Sequence, residues 1–475
     1  MNRHGLSLLI LTILCTSVCA QRMLPFSAVP DMVDEVYETI RDHHPIGYES
    51  AGRERLLAAR TQVQGFMSSA RFADSIALWD FTRLVSPLQE VTDCGHLILE
   101  PHFDSLMNVR VRENVFPLSL MRTDDGRFIL LKGLRTTTDS LLPTTAIAAI
   151  NGEELGPMID NMAYFAGLND VGNVSATQAA IARGMGLQYQ RHYGLQASLT
   201  LTLTDGSRRE ILPTHRPWVD PKKKVTPIAE TITFRYAEDG QTGILDINSF
   251  ADRKFRDGNY YKFVKQVFDT LKQSGTRQLI IDLRDNTGGS SGRINYLYSF
   301  LSEGKFRFAD RIILTGPAKA LPGESAKDLK RRRSGAVSKH GRKVQRVLSK
   351  AMKPRKANLR FDGEVVVLIN EMTFSASGMF ARFVQGSGRG KLLGVTAGAS
   401  AGTTFGGSNR KKRLFIGPNE EFELKVNNIA LQLPYAIEGN VTPDIIVPIT
   451  EDALREGRDE QLERALVLVE GKGLR

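Results

Sequence analysis

Apolar positions in the first hundred residues fall at helical spacing. Between Asp31 and Arg60, Met32, Val36 and Ile40, and later Leu56 and Leu57, recur at three- and four-residue steps, the repeat of one helix face. His43-His44-Pro45 interrupts the pattern, because a residue before proline is pushed out of helical geometry, and one helix is expected to end there. From Ser75 to Leu88 the spacing returns with Ile76, Leu78, Phe81 and Leu84, so residues 28–90 read as a helical N-terminal region.

Beyond residue 96 the period shortens. Phe128 to Leu131 and Ala146 to Ile150 are short apolar runs bounded by turns, and Asn151-Gly152 is a strong hairpin signal. After a polar helical stretch, Leu199 to Thr204 alternates strictly, and Asp205-Gly206 closes a hairpin with Arg209 to Leu212. Gly243 to Ile247, Gln278 to Leu283 and Val365 to Ile369 read as buried strands, with an amphipathic helix from Tyr260 to Leu271 between the first two. Strands alternating with helices imply an α/β core. The expected organisation is a signal over 1–20, helices over 28–90, the start of the core over 91–125, a β-rich domain over 126–215, an α/β core over 230–450 and a C-terminal helix over 451–475.

The 475 residues suffice for two or three domains. Asn2-Arg3-His4, the apolar run Leu8 to Cys15 and the small residues Val18-Cys19-Ala20 have the order of a secretory signal, which predicts an exported protein, periplasmic or extracellular. A short membrane anchor is the other reading. Cys15 and Cys19 lie in that segment, which leaves Cys94 alone in the mature chain, so no internal disulfide and no cysteine-rich metal site is expected. No cofactor is implied. The net charge of +11 comes from one region: Lys319 to Arg360 holds 15 Lys or Arg against 2 acidic residues.

Four segments offer chemistry. In Asp282-Leu283-Arg284-Asp285-Asn286-Thr287-Gly288-Gly289 a strand runs into paired glycines, whose amides can approach an anionic oxygen; a plain turn is the alternative. After the strand ending at Asn370, Ser375-Ala376-Ser377 opens an amphipathic helix, so Ser375 is either an exposed nucleophile or a helix cap. Thr92-Asp93-Cys94-Gly95-His96 places a histidine before an apolar strand, as a general base or a structural residue. Tyr435 to Asp444 carries Glu438 in a turn-rich stretch, where a carboxylate could orient a histidine or simply face solvent.

Taken together and in this order, the four segments resemble the tail-specific, or C-terminal processing, serine peptidases, especially the branch that includes the tricorn protease core and interphotoreceptor retinoid-binding protein. The resemblance covers about residues 90–100 and 240–450. It implies a crotonase-like α/β spiral, Ser375 as nucleophile, and an oxyanion held by the amides of Ala376 and of Gly288 or Gly289. One branch of the family uses a lysine from a glycine-flanked loop; the matching segment Gly398 to Gly402 has Ser400 and no lysine. The other branch uses histidine and glutamate, which implies Ser375, His96 and Glu438 as the triad. Ala146 to Met158 resembles the end of a PDZ-like module, with a plain β-sandwich insert as the alternative.

The implied activity is peptide-bond hydrolysis on a peptide or protein substrate. A catalytically silent binding protein on the same fold and a non-peptidase hydrolase or esterase are the alternatives. The basic segment, an insertion over 317–360, lacks the aromatic residues that stack on nucleic-acid bases, so no nucleic-acid partner is expected. Contact with an anionic envelope polymer or acidic substrates through Lys319–Arg360 is one reading, a solvated basic helix without a partner the other.

Overall fold

The computed structural model describes residues 23–69, 74–102, 114–123, 125–163, 170, 174–193, 195–215, 231–251, 259–315, 336–339, 342–348, 351–406 and 411–469. The expected signal segment and about half of the basic insertion lie outside them.

At the centre is a six-stranded sheet. Its edge strand Ile232–Tyr236 pairs antiparallel with Thr242–Ile247, after which Gln278–Asp282, Glu364–Ile369, Lys391–Gly394 and Ile445–Ile446 follow in parallel. Parallel strands covered on both faces read as continuous apolar runs, and these do. One face packs on the helices Asn259–Gln273, Ser291–Tyr298 and Ala376–Gly386 through Phe268, Phe300 and Phe380. The other face packs Ile280, Val366 and Leu368 under the helix Glu460–Val469.

Three helices precede the sheet, Val29–His43, Ser50–Ser69 and Leu78–Glu90. The first ends where His44 turns extended ahead of Pro45. Ser75–Ala77, expected in the third helix, instead pairs as a strand with Met23–Pro25: three residues of ladder outweigh the weak helical preference of an unsupported first turn. The helices share a core with Ile98–Pro101 and the hairpin Lys411–Ile416/Phe422–Asn427.

A third unit is built on the strands Leu120–Arg122, Phe128–Leu130, Ala146–Ile150, Leu199–Leu203 and Arg208–Ile211. Asn151 and Gly152 both adopt positive φ, as the two-residue turn between Ala146–Ile150 and Glu153–Glu154 requires. Leu155–Ala163, Val174–Arg183 and Met185–Tyr193 are helices packed on this sheet. Leu120–Arg122 is its edge strand. Within the basic region, the backbone of Ala336–Lys339 and Arg342–Leu348 extends the antiparallel sheet begun by Arg311–Leu314, so this part of the insertion is sheet. The C-terminal region holds two helices, Glu451–Glu456 and Glu460–Val469, divided by the left-handed Gly457. Among the described residues no helix is long and apolar enough to cross a membrane.

Candidate active site

The two central strands Gln278–Asp282 and Glu364–Ile369 are parallel neighbours, so the loops leaving their carboxyl ends lie side by side. Buried polar side chains bind these loops together. The Asp285 amide donates to Asn370 Oδ1 at 2.9 Å, and Asn370 Nδ2 donates back to Asp285 Oδ1 at 2.8 Å. The Thr373 hydroxyl donates to the Leu283 carbonyl at 2.9 Å and accepts from the Asn370 amide at 3.0 Å. Asn286, fully buried, donates from Nδ2 to the Ile247 carbonyl at 2.6 Å, and its own carbonyl accepts from the Phe374 amide at 3.1 Å.

This lattice delivers Ser375 to the head of the helix Ala376–Gly386. Ser375 has φ 54° and ψ −122°, a backbone state costly for a residue with a Cβ, and its side chain makes no capping bond to the helix. The cap reading is therefore replaced: the hydroxyl points elsewhere. His96 Nε2 lies 3.0 Å from Ser375 Oγ, although 279 positions separate them in the chain. The imidazole stacks on Phe374, with ring centroids 4.6 Å apart, which fixes its plane beside the serine.

The glycine pair divides its work. The Gly288 amide donates to Asn286 Oδ1 at 2.9 Å, which leaves Gly289 as the member of the pair whose amide is open to an oxyanion; Gly288 serves by its lack of a side chain. A Cβ there would meet the Ala376 amide nitrogen at 2.8 Å and the Phe374 carbonyl oxygen at 2.7 Å. Among the described residues, no hydrogen-bond acceptor engages the amides of Gly289 or Ala376.

Glu438 does not reach the imidazole. It is exposed, and among the described residues no hydrogen bond or ion pair joins it to His96. Its segment pairs with the loop at Ala397–Ala401 through Ile437, Gly439 and Val441, which leaves Glu438 on the solvent side of a turn. The carboxylate beside the ring is Asp170, with Oδ1 3.9 Å from His96 Nδ1 and no solvent exposure. Asp170 accepts from the Gly95 amide at 3.0 Å, the Thr404 hydroxyl at 3.3 Å and the Ser400 amide at 3.4 Å. Asn440 Nδ2 donates to its backbone carbonyl at 2.9 Å. Ser400, at the position where a lysine base would stand, closes its own loop by accepting from the amides of Gly402 and Thr403, each at 3.1 Å.

Sequence reasoning passed over Asp170 because no motif marks it: it lies in the stretch read only as polar and helical. It also passed over Arg183, whose guanidinium lies 3.0 Å from Asp285 and 3.6 Å from Glu371, tying the third unit to both loops.

A strained serine on a histidine, beside unengaged amides at the carboxyl ends of parallel strands, has the parts that acyl transfer needs. The model of peptidase family S41 matches residues 241–447, the span that holds both loops. This chain carries a peptidase family S41 region over that span. It is a serine peptidase, a hydrolase. Among solved structures, this chain is similar to mature CPAF, at 14% identity and TM-score 0.63, over 94% of this chain and 99% of that one. It is also similar to mature CPAF complexed with lactacystin, at 13% identity and TM-score 0.58, over 94% and 98%. The tricorn protease matches at 14% identity and TM-score 0.42, over 94% of this chain and 37% of that one. A search of curated proteins found no match. At these identities the structural likeness to CPAF concerns the fold.

Burial pushes the Asp170 carboxyl up to about 7, against the opposing pull of its hydrogen bonds from Gly95, Ser400 and Thr404. A carboxyl whose folded pKa exceeds its unfolded value, about 3.9, keeps its proton longer in the native state. Its contribution to stability is full below the unfolded value and is lost as pH rises through about 7. Asp170→Asn cannot ionise and should not show this loss. Urea unfolding at stepped pH should show the wild type losing stability relative to Asp170→Asn between about pH 4 and pH 7; parallel profiles would contradict the assigned shift.

Proposed function

We propose that this S41 peptidase cleaves peptide bonds through an acyl-enzyme on Ser375. The observation that carries the reading is the 3.0 Å approach of His96 Nε2 to Ser375 Oγ. Ser375 Oγ attacks the substrate carbonyl while its proton passes to His96 Nε2. The amides of Gly289 and Ala376 receive the developing oxyanion. His96 then gives the proton to the leaving amine, and water, deprotonated in turn by His96, releases the acid product. Asp170 faces Nδ1 and, in its ionised form, favours the imidazolium that forms in each half-reaction, the role the sequence had suggested for Glu438.

The core reads as a crotonase-like spiral and the third unit as PDZ-like. In support of the second, a groove of about 180 Å³ runs between the edge strand, at Leu120 to Arg122, and the helix carrying Ser175, Ala179 and Arg183, and reaches Glu371 of the serine loop. An extended peptide adding a strand at this edge would lie directed toward Ser375. We also infer export, with cleavage after Ala20, from the order of basic, apolar and small residues at the N-terminus. A substrate met outside the cytosol follows from this.

Fluorophosphonate labelling and hydrolysis of an unfolded protein test the triad. Ser375→Ala should abolish labelling, and His96→Ala should lower turnover by about 10³-fold or more. Asp170→Asn should cost at least about tenfold, and Glu438→Gln less than about threefold. Labelling that survives Ser375→Ala would sink the assignment, and a large Glu438→Gln effect beside a small Asp170→Asn effect would restore the glutamate.

The groove is tested by Ala179→Trp, which fills it. KM for a long peptide should rise about tenfold, a loss of about 1.4 kcal/mol of binding, with labelling by the small fluorophosphonate unchanged. An unaltered KM would remove the groove from the substrate path. For export, the N-terminus of the protein recovered outside the cytosol should be Gln21; an intact Met1 in a purely cytosolic product would contradict it.

A further inference from the structure

Cys94 joins His96 and Asp170 in a cluster larger than hydrolysis requires. A sulfur, an imidazole nitrogen and a carboxylate oxygen lie within 4.8 Å of one another. Cys94 is 8% exposed and Asp170 has no exposure, while His96 borders the serine. The peptidase reaction needs the histidine and uses the carboxylate, but it gives the thiol no task. The cysteine and histidine flank Gly95, and the Gly95 amide holds Asp170 Oδ1 at 3.0 Å, so one hydrogen bond keeps all three donors together.

We propose that this cluster binds a single thiophilic divalent cation of the zinc class, and that the bound ion switches the peptidase off. One thiolate, one imidazole and one carboxylate suit zinc and exclude magnesium and calcium, which take oxygen shells. Three protein ligands leave the fourth tetrahedral position to water. Ligand atoms in such a shell are roughly 3.5 Å apart, so the cluster must contract by about 1 Å, within the reach of side-chain torsions. Binding releases the thiol proton to solvent as the sulfur–metal bond forms.

The consequence for catalysis follows from imidazole chemistry and rests on the function proposed above. The nitrogen that faces Asp170 is Nδ1. A neutral imidazole carries one proton, so a metal on Nδ1 leaves that proton on Nε2. Nε2 is the atom beside Ser375 Oγ, and once protonated it cannot accept the serine proton.

Cobalt(II) and zinc titrations of the reduced full-length chain test this. Cobalt should bind one per chain and give a near-ultraviolet thiolate-to-cobalt band, absent from Cys94→Ala and retained in Ser375→Ala. Cys15 and Cys19 keep their thiols in Cys94→Ala, so loss of the band assigns the ligand. Zinc should inhibit peptide hydrolysis reversibly by chelator, with the half-inhibiting concentration raised at least about tenfold in Cys94→Ala, each protein normalised to its own zinc-free rate. Should Cys94→Ala fail to fold, Asp170→Asn, with its shape preserved, should bind cobalt at least about tenfold more weakly. A wild type without the band, a band that persists in Cys94→Ala, or equal zinc inhibition of both proteins would overturn the site. Metal binding that leaves turnover unchanged would overturn the switch. A wild type without any peptidase activity would refute the proposed function instead, and the cobalt spectrum would still decide the metal site.

Discussion

The candidate active site depends on the buried polar lattice that joins the ends of two parallel strands. Asn286, Asn370 and Thr373 carry no reacting atom, yet they satisfy backbone groups that two adjacent loops would otherwise leave bare in the interior. An unpaired buried amide or carbonyl costs about 1–3 kcal/mol, so the loops have one arrangement that meets every demand. That arrangement sets Gly288 against the backbone of Ser375 so closely that a methyl group would not fit.

The same lattice explains how Ser375 keeps its strained backbone. The neighbours of Ser375 are held on one side by Phe374, whose amide is bound to Asn286, and on the other by the helix that begins at Ala376. Strain of this kind persists only where the surroundings over-determine it. The reward is a hydroxyl aimed at His96 rather than folded back on its own helix. His96 comes from the N-terminal region and Asp170 from the third unit, so the bonded pair of loops is the reference on which residues distant in sequence converge.

Much of this was legible in the chain, and the reasons it stops are physical. The strands Thr242–Ile247, Gln278–Asp282 and Glu364–Ile369 declare themselves because burial on both faces demands unbroken apolar runs, a local property. Ser375 and His96 were readable from the order of short segments. Asp170 was not, because its environment is made by Gly95, Ser400, Thr404 and Asn440, none of them near it in sequence. Glu438 misled for the converse reason: a turn-rich stretch says where the chain reverses and not which side meets solvent. The division of labour between Gly288 and Gly289 was equally hidden, since it is decided by the side chain of Asn286.

The threading of the site through the chain has a consequence for synthesis. His96 emerges from the ribosome early, Asp170 next, Ser375 late, and the residues that enclose Asp170, from Ser400 to Asn440, later still. A product interrupted anywhere short of that last stretch carries the base without its finished surroundings. An incomplete copy therefore lacks part of the finished site, either the serine itself or the groups that hold Asp170, until that last stretch is made.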